Sequence, residues 1–171
     1  GSGLYRSTDG GENWERMTSG LPASMGKVAV DISRANSRII YANIEAAEGG
    51  VFRSEDGGQS WQQTSNDRNT VSRAWYFTKI VADPRDPETV YVLNAPFLKS
   101  IDGGRTFREI AVAHYDQHDL WINPDRPEIL ALANEPTFNP NTFRDVDATV
   151  RRNRGVQEVY EPGSTFKIVT A

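Results

Sequence analysis

The residues best suited to chemistry stand near the end of the chain, at Ser164-Thr165-Phe166-Lys167. Pro162-Gly163 sets a turn before Ser164, and the following residues read as the start of a helix. Lys167 then lies one turn on, on the side of Ser164. A lysine amine so placed takes the serine proton, and the amides of the helix start help bind a developing oxyanion. A lone Ser-x-x-Lys is weak by itself, since about one arises by chance at average composition. Ser24-Met25-Gly26-Lys27 is such an accident, in a glycine-containing loop.

Two further groups carry functional side chains. Arg73-Ala74-Trp75-Tyr76-Phe77 clusters a cation with three aromatics. It suits a platform that stacks on a sugar or peptide, with Arg73, Trp75 and Tyr76 as the contacts. The alternative is core packing at the start of a strand, favoured because buried aromatics are commoner than platforms. In His114-Tyr115-Asp116-Gln117-His118-Asp119, an extended backbone puts His114, Asp116 and His118 on one face. That trio fits a divalent cation or a hydrogen-bonded loop beside Trp121. No metal is assigned and no cofactor is implied.

The elements that must position these groups are repeats. Ser7-Thr8-Asp9-Gly10-Gly11-Glu12-Asn13-Trp14 returns as Ser54-Glu55-Asp56-Gly57-Gly58-Gln59-Ser60-Trp61. It returns again as Ser100-Ile101-Asp102-Gly103-Gly104-Arg105-Thr106-Phe107, the starts being 47 and 46 residues apart. Such a period suits propeller blades or similar arrays. Each unit holds an apolar run (Val28 to Ile32, Lys79 to Asp83), a polar turn, a second β-rich run (Ile39 to Ala42, Thr89 to Val92) and a third run into the box. A fourth strand starts at the box aromatic. Four short strands per period make a propeller blade. Within the box, adjacent glycines permit positive φ. The Asp and Ser side chains bond amides of their own loop, and the aromatic packs between sheets.

The spacing resembles the Asp-box (BNR) repeat of sialidases, sortilin-type (VPS10-like) receptors and related secreted propellers. The resemblance covers residues 1–127. It implies a structural hairpin role for Ser7, Asp9, Gly11 and Trp14, for Ser54, Asp56, Gly58 and Trp61, and for Ser100, Asp102, Gly104 and Phe107. Phe107 departs from the usual Trp. A fold of this kind implies no activity by itself. The Phe/Tyr-Arg-Ile-Pro type motif of sialidases is absent from the sequence, which argues against a glycan hydrolase.

Residues 128–171 resemble the start of the transpeptidase domain of class B penicillin-binding proteins. The resemblance rests on Glu128 to Asn134, Pro136-Thr137-Phe138-Asn139-Pro140-Asn141, Arg152-Asn153-Arg154-Gly155-Val156 and Glu161 to Val169. It implies acyl transfer through Ser164 and Lys167, onto a β-lactam or a peptidoglycan stem peptide, if the domain were complete. The family's Ser-x-Asn and Lys-Thr/Ser-Gly elements occur nowhere in the 171 residues. The latent motif is therefore expected to be inactive as it stands, since catalysis needs the positioned constellation. A repeat should continue or be capped. This one halts within a unit, which points to two segments of separate origin joined near Pro127-Glu128. A natural fusion, or a blade with an insertion, is the alternative.

Composition suits a moderately polar globular chain, while an extracytoplasmic setting for a binding or scaffold module is implied by the two resemblances alone. Hydrophobic residues are 37%, charged residues 25% and the net charge is −4. That charge gives no electrostatic case for nucleic acid or an anionic membrane. No apolar run reaches the length of a membrane span. The absence of cysteine excludes disulfides and thiolate metal sites. The expected fold is mainly β: an incomplete propeller of about three four-stranded blades, then an irregular tail with a short C-terminal helix. The expected partners are a glycan or peptide on the propeller.

Overall fold

The structure is a computed structural model that describes residues 2–112, 117–125 and 129–131. The expected C-terminal helix, with Ser164 and Lys167, lies outside the described residues. The chain divides into two compact units, Gly1–Ala131 and Leu132–Ala171. All the described strands belong to the first unit.

That unit is almost all β, and short antiparallel strands follow one another in chain order. β1 (Leu4–Arg6) and β2 (Glu15–Met17) form a hairpin around the first box. β3 (Val28–Ile32), β4 (Ile40–Ile44), β5 (Gly50–Ser54) and β6 (Gln62–Ser65) form a four-stranded sheet in sequential order. β7 (Lys79–Ala82), β8 (Val90–Leu93), β9 (Phe97–Ser100) and β10 (Arg108–Glu109) repeat it. β11 (Leu120–Ile122) and β12 (Ile129–Ala131) form a second hairpin. Two complete four-stranded units are thus present among the described residues, where about three were expected. The first box sits on a two-stranded hairpin. In every unit the strand after the box begins one residue beyond the aromatic.

Alternation along the middle strands explains how the sheets stack. Successive side chains on a strand point to opposite faces. On β4, Tyr41 joins Val51, Ile80, Ala82, Val90, Val92 and Leu98 in one apolar cluster, between the two four-stranded sheets. Its neighbours Ala42 and Ile44 turn the other way and meet Phe52, Trp61 and Met25, with Leu4 and Leu21 of the first hairpin. β8 repeats the arrangement. Val90 and Val92 face the first cluster, while Tyr91 and Leu93 pack with Phe97, Leu120 and Ile122. Strands buried on both faces read as continuous apolar runs. Each sheet therefore serves as the wall of the next.

Candidate functional site

The three boxes are built alike. Ser54 Oγ donates to Asp56 Oδ1 at 2.8 Å and accepts from Gly58 N at 2.8 Å. Asp56 Oδ1 also accepts from Ser60 N at 2.9 Å, and its Oδ2 from Ser60 Oγ at 2.6 Å. In the first box Ser7, Asp9, Gly11 and Asn13 reproduce the pattern at 2.7, 2.8, 3.0 and 2.7 Å. In the third, Ser100, Asp102, Gly104 and Thr106 give 2.7, 2.9, 2.9 and 2.6 Å. The glycine pairs carry φ values of 78° and 98°, 73° and 91°, and 73° and 79°, which only glycine adopts without strain. The indole N–H of Trp14 and Trp61 closes each turn onto Gly11 O and Gly58 O, at 2.9 and 3.1 Å. Phe107 has no such donor.

These donors fix the charge state of the carboxylates. The backbone and side-chain N–H groups of Asn13, then the Ser7 hydroxyl, hold Asp9 far below the usual carboxylate range. The Ser60 hydroxyl and amide, then Ser54, do the same for Asp56. For Asp102, burial raises the value, but donors from Thr106, Ser100 and Arg105 outweigh it and bring it to about 2. A carboxylate saturated with donors is a poor proton acceptor and has no proton to give near neutrality.

A second cluster bridges the two four-stranded sheets. Arg53 on β5 is 6% exposed and makes a two-pronged ion pair with Glu88, in the turn before β8. Glu55 adds a contact at 3.3 Å. The guanidinium lies 5.8 Å above the Tyr41 ring, and the Tyr41 hydroxyl donates to Pro87 O at 2.6 Å. Burial pushes the Tyr41 phenol up to about 12. The neighbouring groove, about 410 Å³, is lined by Arg38, Arg53, Arg105, Glu55 and Asp56 among others. Of its cations, Arg53 pairs with Glu55 and Glu88, Arg105 lies 4.0 Å from Glu88, and Arg38 Nε donates to the Glu55 carbonyl at 3.3 Å.

The aromatic platform lies elsewhere. Residues 71–77 form a tight turn after the 3-10 turn Arg68–Thr70, with Ala74 N bonded to Val71 O and both Tyr76 N and Phe77 N to Arg73 O. Core packing is not what Trp75 and Tyr76 do: they are 68% and 48% exposed, while Ala74 takes the buried place. β7 begins only at Lys79, so strand alternation does not govern this segment. Arg73 lies 5.5 Å over the Tyr76 ring. Trp75 and Tyr76 rings are 5.9 Å apart, and His118 meets Tyr76 edge-on at 5.8 Å and Phe77 at 4.4 Å. His114 and Asp116 lie outside the described residues, so the trio is represented by His118, which belongs to this aromatic group. Among the described residues no set of three His, Cys, Asp or Glu side chains converges on one point.

Sequence reasoning missed the residues that hold the platform. Lys27 Nζ donates to the carbonyls of Trp75 and Tyr76, at 3.2 and 2.6 Å. Buried Asn94 accepts from Arg73 N at 2.8 Å and from Ser72 Oγ at 3.0 Å, and donates to Phe77 O at 3.2 Å. Asn43 on β4 donates to Thr70 O and Thr78 Oγ1 at 2.6 and 2.8 Å. A buried amide in an apolar strand was the available signal, because such a group must find partners.

The described unit is thus a β-sheet repeat with three turns bonded alike. Residues 5–16 match the family model for the BNR/Asp-box repeat. Residues 120–171, from the first residue of β11, match that for the penicillin binding protein transpeptidase domain. Relatives of this second stretch include Stage V sporulation protein D of Bacillus subtilis (strain 168), 48% identical over 50 residues, 29% of this chain and 8% of that protein. Peptidoglycan D,D-transpeptidase FtsI of Escherichia coli (strain K12) is 48% identical over 46 residues, 27% of this chain and 8% of that one. Probable peptidoglycan D,D-transpeptidase PenA of Neisseria gonorrhoeae is 52% identical over 40 residues, 23% and 7% of the two chains. The chain spans only about 8% of the length of the curated relatives it matches. Among solved structures, the GH74 xyloglucanase from Xanthomonas campestris aligns over 61% of this chain and 17% of its own, with 20% identity and a TM-score of 0.44. Among the described residues no helix is long and apolar enough to cross a membrane.

Proposed function

We propose that residues 1–127 are β-propeller blades acting as a non-catalytic binding or scaffold module. Residues 128–171 are the opening of a penicillin-binding transpeptidase domain, inactive without the rest of its constellation. The observation that carries the first part is that the carboxylates of Asp9, Asp56 and Asp102 and the hydroxyls of Ser7, Ser54 and Ser100 are each engaged inside their own turn. None is left to act as acid or base, which also disfavours a glycan hydrolase. The exposed rings of Trp75 and Tyr76, with Arg73 and His118 beside them, supply the binding face. They suit a glycan or an extended peptide, since exposed aromatics give large contact area with a polar edge. Glycan-array binding that is lost in Trp75→Ala checks that assignment. Both segments belong to an extracytoplasmic, periplasmic or secreted, setting. The two are of separate origin and join near Pro127-Glu128. One sequencing read of the source DNA spanning both halves in frame would refute the separate origin.

A second reading is favoured by the family match over residues 120–171. In it the chain is part of a peptidoglycan D,D-transpeptidase. Ser164 Oγ attacks the carbonyl of a D-Ala-D-Ala stem peptide, Lys167 takes the proton, and the terminal D-Ala leaves. A fluorescent β-lactam separates the readings. On the intact folded chain no covalent label is expected. Label that disappears in Ser164→Ala would overturn the inactive assignment and establish the second reading.

A further inference from the structure

The aromatic platform draws its parts from the leads into three successive units. Lys27 stands just before β3, residues 71–77 before β7, and His118 and Asp119 just before β11. The registers make these leads equivalent. Ile32 pairs with Ile40, Ala82 with Val90 and Ile122 with Ile129, so Val28, Thr78 and His118 hold one position. The two exposed rings differ in how open they are. Arg73 lies 5.5 Å over the Tyr76 ring, His118 meets it edge-on at 5.8 Å and Trp75 stands 5.9 Å away. Among the described residues Trp75 has Tyr76 as its ring neighbour and is otherwise 68% exposed. Its indole is therefore the surface on which a flat or CH-bearing face stacks.

The polar groups around that ring decide what lies on it. The main chain of the turn is taken up. Lys27 Nζ donates to the carbonyls of Trp75 and Tyr76, and Asn94 accepts from Arg73 N and donates to Phe77 O. Arg73 O accepts from Tyr76 N and Phe77 N. A peptide that docks as an added strand needs open N–H and C=O groups, and these are closed to it. The side chains that remain are chiefly donors. Among the described residues the Arg73 guanidinium has the Tyr76 ring as its partner and no carboxylate. The Lys27 ammonium is bonded to carbonyls and likewise to no carboxylate. The nearby acceptors are engaged. Asp119 pairs with Lys79 and accepts from Leu120 N, and Glu45 accepts from the Lys27 amide. Asn94 Oδ1 takes the Ser72 hydroxyl as well as the Arg73 and Ala95 amides.

Resting on the binding-face reading above, we infer that the platform takes an acidic glycan. One sugar ring stacks on Trp75, and an anionic group on that ring or the next is held by Arg73 and Lys27. A neutral sugar presents hydroxyls, each of which donates as well as accepts. A face made chiefly of donors leaves the donated protons unmatched. A carboxylate or a sulfate ester only accepts. Here it meets two cations that no described carboxylate neutralises, in a chain whose net charge is −4. Arginine grips two oxygens of such a group at once. The same two cations argue against a quaternary ammonium, the other ligand that exposed Trp and Tyr rings suit. Carboxylate and sulfate share this chemistry, and separate probes tell them apart.

Isothermal titration of the full chain tests this with three hexasaccharides: an oligogalacturonate, its carboxyl-reduced neutral counterpart, and that neutral sugar sulfated. At least one anionic sugar is expected to bind about tenfold or more tightly than the neutral one, since hydrogen bonds to charged groups are the stronger. Which of the two binds names the anionic group. Trp75→Ala is expected to abolish binding, and Arg73→Met to weaken it by about tenfold. Both side chains are exposed, so urea midpoints of the two variants should stay at the parent value. Equal binding of the neutral sugar overturns the inference, and so does anionic binding that survives Trp75→Ala. Where neutral binding depends on Trp75, the binding-face reading stands and the acidic assignment alone falls. If no hexasaccharide binds, the inference falls as well. A peptide array whose hits depend on Trp75 then keeps the binding face, and a silent array removes it.

Discussion

Replacing Glu88 by Gln tests whether adjoining sheets are held by a buried ion pair as well as by apolar packing. Arg53 is 6% exposed, and its Nε has no partner among the described residues. Its charge is met chiefly by Glu88, reached through both terminal nitrogens. Removing one partner of a buried pair typically costs about 3–5 kcal/mol, because the other charge stays buried and uncompensated. Two features reduce the figure. Glu88 is 43% exposed, and Glu55 remains 3.3 Å from Nη1. An exposed pair like the latter is worth about 0–1 kcal/mol. Glu88→Gln should therefore destabilise by about 2–3 kcal/mol. In urea this lowers the unfolding midpoint by about 1 M at a usual slope. Glu55→Gln serves as the control and should cost less than about 1 kcal/mol. Arg53→Met combined with Glu88→Gln should recover most of the loss, since an apolar replacement of the pair removes the orphaned charge. The reasoning is refuted if Glu88→Gln shifts the midpoint no more than Glu55→Gln, or if the double variant is less stable than the single one.

Trp61→Ala should cost about 3–5 kcal/mol in the same urea assay, the range for emptying a buried aromatic site. A loss below about 1 kcal/mol would show that the wall between the first hairpin and the first complete sheet contributes little. Acid should unfold the repeat in a defined window. Asp9, Asp56 and Asp102 are held below the ordinary carboxylate value. Their contribution is therefore full above about pH 4, the unfolded value. It is lost as pH falls through the folded values, which for Asp102 is about 2. Urea midpoints in an Asp56→Asn variant should show a shallower decline over that window than in the parent chain, and an unchanged slope would refute the role given to the box carboxylates.

The boxes were legible in the sequence because they are local. Every bond from Ser54, Asp56 and their counterparts reaches at most four residues along the chain, and the positive φ values need only adjacent glycines. The strands were legible for a related reason. Alternation and turn residues located Val28 to Ile32 as β3, and the Ile39 and Thr89 runs as β4 and β8, within a residue or two. Other features depended on contacts far apart in sequence. Asn94 and Lys27 fix the platform from 17 to 49 residues away, and Arg53 finds Glu88 at a separation of 35. Trp75 looked like a core residue because its composition is that of a strand, and the turn that lifts it into solvent is set by those distant partners. Trp14 and Trp61 have the same box position and the same hydrogen bond, and no local pattern separates them. The sequence determined the turns and the alternation, since both arise from backbone sterics and side chains a few residues apart. Only the tertiary structure decided which aromatic is buried, because burial depends on whether another sheet stands in front of it.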